Sequence, residues 1–136
     1  MLFRSVDDSY NANPPATRQA LSLLASDRTA ARHIAVLGEM LELGDSSTAL
    51  HEDVGRAAAR ARVDVLFAVG GPAASALARS AVEAGLPAAA VRHFPTSDEA
   101  AEAAASIVRT GDLVLVKGSR GVHTDRVVDR LKAGRG

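Results

Sequence analysis

Val65-Leu66-Phe67-Ala68-Val69-Gly70-Gly71-Pro72 runs five apolar residues straight into two glycines and a proline. A short, wholly apolar run bounded by turn residues predicts a strand buried on both faces, as in a parallel sheet. Proline is tolerated in the first turn of a helix, which needs no donor there, and the stretch 72–84 stops at Gly85, a residue suited to a helix C-terminus. The same strand-to-helix alternation recurs along the chain. Apolar runs at 2–6, 34–37, 91–94 and 113–116 predict four more strands. A helix follows Pro14-Pro15, carrying Leu21 and Leu24. Another covers 48–61 behind Ser46-Ser47, read as N-caps, with Leu50, Val54, Ala57, Ala58 and Ala61 on one face. Thr96-Ser97-Asp98-Glu99 has capping-box spacing and opens a helix burying Ala100, Ala103, Ala104, Ile107 and Val108. The last helix, 124–132, aligns Val127, Val128 and Leu131. This pattern predicts an α/β fold: one three-layer, Rossmann-like domain over residues 1–136, with a mostly parallel sheet of five to six strands. Its four C-terminal residues are expected to fray.

Composition excludes several classes of function. Lys+Arg and Asp+Glu number 16 each, so no global field favours nucleic acid or a membrane surface, and 3% aromatics with no Trp leaves little for base stacking. There is no Cys, hence no thiolate metal site or thiol nucleophile, which fits a reducing cytoplasm. No apolar run approaches the roughly 20 residues needed to span a bilayer, and no signal-peptide pattern opens the chain. His33, His51, His93 and His123 are scattered without metal-ligand spacing, so no metal ligand is assigned. Val69-Gly70-Gly71-Pro72 lacks the spacing of a dinucleotide-binding fingerprint and reads as a plain turn.

Ligands of open α/β sheets gather at the carboxyl ends of the strands. Three polar blocks fall there. Asp7-Asp8-Ser9-Tyr10-Asn11-Ala12-Asn13-Pro14 packs carboxylates, amides, a phenol and a hydroxyl between a strand and a helix. Val36-Leu37-Gly38-Glu39-Met40-Leu41-Glu42-Leu43-Gly44 follows the second strand, with His51 and Val54-Gly55 beyond it. Lys117-Gly118-Ser119-Arg120 follows the apolar run Leu113-Val114-Leu115-Val116, and Gly118 would let the backbone approach a ligand or take a positive φ. Glu39, Glu42 and Asp45 are either solvated loop charges or partners for an ammonium group. His51 either contacts substrate or holds its loop and helix cap.

In this order and spacing, the three blocks resemble the C-terminal domain of the Mur ligase family, specifically of the member that adds D-alanyl-D-alanine to UDP-N-acetylmuramoyl-tripeptide. The resemblance implies an ATP-dependent carbon–nitrogen ligase of peptidoglycan precursor synthesis, acting in the cytoplasm through an acyl phosphate. It implies ATP and Mg2+, bound mainly by a central domain whose Gly-Lys-Thr/Ser phosphate loop this sequence lacks, since Lys117-Gly118-Ser119 reverses that order. The chain is then expected to be one domain of three, inactive alone, with the N-terminal and central domains as its partners. Carried over by position, Asp8, Tyr10, Asn11 and Asn13 would bind nucleotide, Asp8 at the ribose. Lys117, Ser119, Arg120, Glu39 and His51 would face the second substrate, Arg120 as a fork for its carboxylate. No residue has the setting of a covalent catalyst, so the domain's part is binding and closure. The rival readings are a stand-alone, non-catalytic α/β binding module, and the same domain of a folylpolyglutamate or cyanophycin synthetase relative.

Overall fold

The computed structural model describes residues 4–8 by their backbone, and residues 13–118 and 122–133 in full. Five strands form one sheet: β1 (Arg4–Asp8), β2 (His33–Gly38), β3 (Val65–Val69), β4 (Val91–Phe94) and β5 (Leu113–Lys117). Every pairing is parallel, in the order β1-β5-β2-β3-β4. Five helices connect or follow them: α1 (Pro14–Ser26), α2 (Ser47–Ala61), α3 (Pro72–Glu83), α4 (Ser97–Ile107) and α5 (Asp125–Ala133). The chain moves one way along the sheet from β1 through β2 and β3 to β4, then returns to insert β5 between β1 and β2. With crossovers of one hand, such a reversal sends the helices to opposite faces. The strands show the consequence in alternation. Ala35, Leu37, Leu66, Ala68, Leu113 and Leu115 face a core shared with α1, α2 and α3. Ile34, Val36, Phe67, Val69, Val114 and Val116 face the core shared with α4 and α5.

The two cores differ in texture. On the first side Gly55 lets α2 and α3 come together, since a Cβ there would lie 2.3 Å from the Leu77 carbonyl oxygen. The Ser80 hydroxyl then reaches across to donate to the Glu52 carbonyl at 2.6 Å. On the other, Phe67 and Phe94 meet edge to face with centroids 4.8 Å apart, a geometry that suits the ring quadrupoles.

Several element ends depart from expectation. Helix α3 stops in a Schellman arrangement: Gly85 sits at φ 128, its N–H bonds to Val82, and the Leu86 N–H bonds to Ala81. Helix α2 is led in by a 3-10 turn, Gly44–Ser46, and Ser46 makes no side-chain cap bond, which corrects the reading of Ser46-Ser47 as caps. A second 3-10 turn, Ala88–Ala90, was not expected. Thr96 does cap α4, its hydroxyl accepting from the Glu99 N–H. On that helix Ala101 is buried, while Ala103 and Ile107 only border the core. Strand β1 extends through Asp7 and Asp8, which the polar character of the segment had suggested were loop.

Candidate functional site

Strand register sets the frame of the carboxyl edge. Asp8 pairs with Lys117, Lys117 with Leu37, Leu37 with Ala68 and Ala68 with His93, so these five residues form one row across the sheet. Asp8 and the loop after β2 are thereby brought to the same edge, with β5 between them. Tyr10, Asn11, Ser119 and Arg120 lie outside the described residues.

Where the structure describes them, the candidate residues do not all take the expected posts. Asn13 is the N-cap of α1: its side-chain oxygen accepts from the Ala16 N–H at 2.9 Å. Lys117 is the last residue of β5, not part of the loop, and is 2% exposed. It shares the α1 face of its strand with Leu113 and Leu115 and stands beside Ala20 and Leu24. The central place of β5 covers a side chain that the resemblance set in a substrate-facing loop.

Gly118 does not take a positive φ, and a Cβ on it would fall 2.2 Å from the Thr124 hydroxyl oxygen. Gly38 is crowded by the same residue, at 2.8 Å from the Thr124 methyl. The two glycines therefore admit the start of α5 against the ends of β2 and β5. The Thr124 hydroxyl is buried there without a hydrogen-bond partner among the described residues. No local pattern in the sequence marks this contact.

Loop 39–46 is the best-defined part of the edge. The Glu39 N–H donates to the Val69 carbonyl at 2.8 Å, and the Glu39 carboxylate accepts from the Gly71 N–H at 2.7 Å. The helix N-terminus at Gly70-Gly71 is thus an anion seat, filled by the protein's own carboxylate. Gly70, at φ 139, leaves room for Glu39, whose Cβ would be 2.7 Å from a Cβ at that position. His93 steadies the same turn by donating from Nε2 to the Gly70 carbonyl at 2.6 Å. His51 is fully buried on α2 and bonds through both ring nitrogens, to Met40 and to Ser47. Beyond Met40 the loop exposes Leu41, Glu42 and Asp45, with Glu42 in the left-handed region at φ 63.

A concavity of about 900 Å³ lies at the opposite end of the sheet, walled in part by Arg56, Arg60 and Arg62. Those guanidinium groups sit by the carbonyl ends of α2 and α3, where cations complement the helix dipole. Helix termini account for that charge without a ligand.

Residues 3–120 match the family described as Mur ligase, glutamate ligase domain. The UDP-N-acetylmuramoyl-tripeptide--D-alanyl-D-alanine ligase of Mycobacterium leprae is 37% identical over 139 residues, an overlap of 93% of this chain and 27% of that protein. For the ligase of the same description from Escherichia coli K12 the identity is 33%, covering 93% and 26%. A crystal structure of MurF ligase from Thermotoga maritima in complex with ADP superposes with a TM-score of 0.76 at 28% identity, over 96% of this chain and 28% of that one. MurF from Acinetobacter baumannii gives 0.78 at 32%, over 95% and 28%. The chain thus spans roughly a quarter of the length of the relatives it matches.

Proposed function

The chain belongs to the Mur ligase family, and from that premise we propose that it is the C-terminal domain of the cytoplasmic ligase that joins D-alanyl-D-alanine to UDP-N-acetylmuramoyl-tripeptide. The observation that carries this reading is the likeness, over more than nine-tenths of the chain, to ligases of that description. All three sequence blocks that bear the resemblance also follow strands at one edge of the sheet.

ATP would supply the phosphoryl group that activates the tripeptide carboxylate, with Mg2+ neutralising its phosphates. The residues present fit part of such a ligand. The helix N-terminus at α3 is already taken by Glu39 and the sequence lacks a Gly-Lys-Thr/Ser loop, so the phosphates and the metal would fall to another part of the protein. What remains at the end of β1 suits a sugar: Asp8 would accept from the ribose hydroxyls, and Tyr10 and Asn11 would line the same loop. On the other side of the edge, Ser119 and Arg120 would hold the dipeptide carboxylate, and Glu39 with Glu42 would face its ammonium group. These are binding roles. Closure of this domain onto the central one would bring the two halves together and keep water from the acyl phosphate.

The test uses the whole ligase. Asp8→Ala should raise KM for ATP by about tenfold, the loss of one charge-assisted hydrogen bond, and leave KM for the dipeptide alone. Unaltered ATP kinetics would overturn the nucleotide assignment. Failure of D-alanyl-D-alanine to drive phosphate release would overturn the substrate assignment.

A further inference from the structure

His51 is a fully buried titratable side chain, and the binding roles just described give it nothing to do. Its geometry leaves little freedom. Nδ1 lies 2.7 Å from the Ser47 carbonyl oxygen, which can only accept, so Nδ1 carries the proton. Nε2 lies 2.9 Å from the Met40 backbone nitrogen, which can only donate, so Nε2 presents its lone pair. A neutral imidazole has one donor and one acceptor, and both are used. Met40 is itself buried, so no solvent stands ready to take its N–H in place of the ring.

The preceding residue is tied elsewhere. Glu39 bonds through its N–H to Val69 and through its carboxylate to Gly71. Two consecutive residues are therefore anchored to different elements, Glu39 to the β3–α3 turn and Met40 to α2. Immediately afterwards the chain passes through the left-handed Glu42, a conformation that non-glycine residues adopt only where their surroundings enforce it. We propose that His51 is a positioning residue, whose neutral ring with the proton on Nδ1 fixes the course of loop 39–46 and so stations Glu39 and Glu42 at the ligand edge. The kinetic consequence rests on the ligase reading above. The clamp itself does not.

Two variants test it. His51→Gln keeps an oxygen for the Met40 N–H and an amide for the Ser47 carbonyl, whereas His51→Leu fills space and offers neither. In the 136-residue chain, hydrogen exchange followed by NMR should show the Met40 amide exchanging at least about tenfold faster in His51→Leu and restored in His51→Gln. The amides of Leu115 and Val116 in β5 should stay within about twofold in both. An unchanged Met40 amide, or equal acceleration everywhere, would overturn the clamp, the latter by showing His51 to be ordinary core. A nitrogen-15 spectrum with Nε2 protonated would do the same. In the whole ligase, His51→Leu should raise KM for D-alanyl-D-alanine by about tenfold, with His51→Gln within about threefold and KM for ATP steady in both. Unchanged dipeptide kinetics would overturn the positioning role. Parent enzyme with no dipeptide-dependent turnover would instead sink the ligase reading, leaving the exchange measurement to decide the clamp.

Discussion

The two ends of the sheet are closed by different means. At the amino end, Arg32 before β2 grips Asp112 before β5 through two bonds, Nε to Oδ1 at 3.1 Å and Nη2 to Oδ2 at 2.8 Å. The same guanidinium donates to the Ile107 carbonyl, and the Arg109 N–H donates to Asp112, so one buried carboxylate ties together β2, β5 and the end of α4. At the carboxyl end loop 39–46 is held by contacts of another kind. Close backbone approach at Gly38 and Gly118, a carboxylate on a helix terminus and a buried imidazole hold that edge. A bidentate ion pair fills its own hydrogen-bonding capacity, whereas an edge held by backbone leaves side chains such as Glu42 facing outward. One end is closed on itself, and the other is the edge to which the proposed ligand contacts belong.

Removing the carboxylate from the amino end is the strongest way to break that division. Asp112→Ala leaves a guanidinium and a partly buried N–H without their acceptor, and should cost about 3 kcal/mol. That predicts a Tm lower by roughly 10 °C for a domain of this size. Burial would by itself raise the Asp112 pKa, but the bonds from Arg32 and the Arg109 N–H, with the charges of both arginines, outweigh it and hold the carboxyl below its ordinary value. A depressed folded-state pKa contributes stability above the unfolded-state value of about 3.9 and loses it as pH falls through the folded-state value. The stability gap between parent and variant should therefore be constant near neutrality and narrow below about pH 4. Chemical denaturation across that range measures it. A gap that widens in acid would contradict the assigned charge state, and altered ligand kinetics in the folded variant would contradict the division between the two ends.

Next in size is Gly118→Ala. The new Cβ would meet the Thr124 hydroxyl at 2.2 Å and its methyl at 2.6 Å, and Thr124 is buried and cannot swing away. The expected cost is about 2 kcal/mol, as for overpacking a core. Adding Thr124→Ala should recover part of it, because the hydroxyl and methyl are then gone and only the Cβ of residue 124, at 2.9 Å, still has to give; a double-mutant cycle gives the coupling. Additive effects would mean that Gly118 is needed for some other reason, such as the ligand approach first suggested by its place after a strand.

The contrast between the two ends also explains what the sequence could reveal. The strand Val65–Val69 was legible to the residue because an uninterrupted apolar run suits a sheet covered on both faces. Asp7 and Asp8 were read as loop since acidic residues disfavour strands, yet pairing with Val116 and Lys117 carries them into β1. Lys117 was read as part of a substrate-facing loop because it follows an apolar run, and only the strand order places β5 inside the sheet. Arg32 and Asp112 lie 80 residues apart and Thr124 meets Gly38 across the fold, so no local spacing announces either contact. The loop after β2 was read as a candidate site from its place at the sheet's edge, but the link from Glu39 to Gly71 joins segments that only the sheet brings together.

Glu39→Gln should have the smallest effect on stability and still divide structure from function. The glutamine oxygen can accept from the Gly71 N–H, so the bond survives and only the charge on the α3 terminus is lost. A carboxylate near a helix N-terminus is worth about 0.3–1 kcal/mol, and exposure at this edge places the loss near the lower bound. That small difference should shrink further in 1 M salt, where the Debye length is only about 3 Å. If the carboxylate does no more than cap the helix, the whole ligase carrying Glu39→Gln will keep its dipeptide kinetics. If it also faces the ammonium group of the incoming amino compound, KM for D-alanyl-D-alanine should rise several-fold, about the loss of one charged partner, while KM for ATP stays fixed. The second outcome is expected, because the loop that His51 and Glu39 hold in place is otherwise a well-ordered structure at the ligand edge with nothing to present.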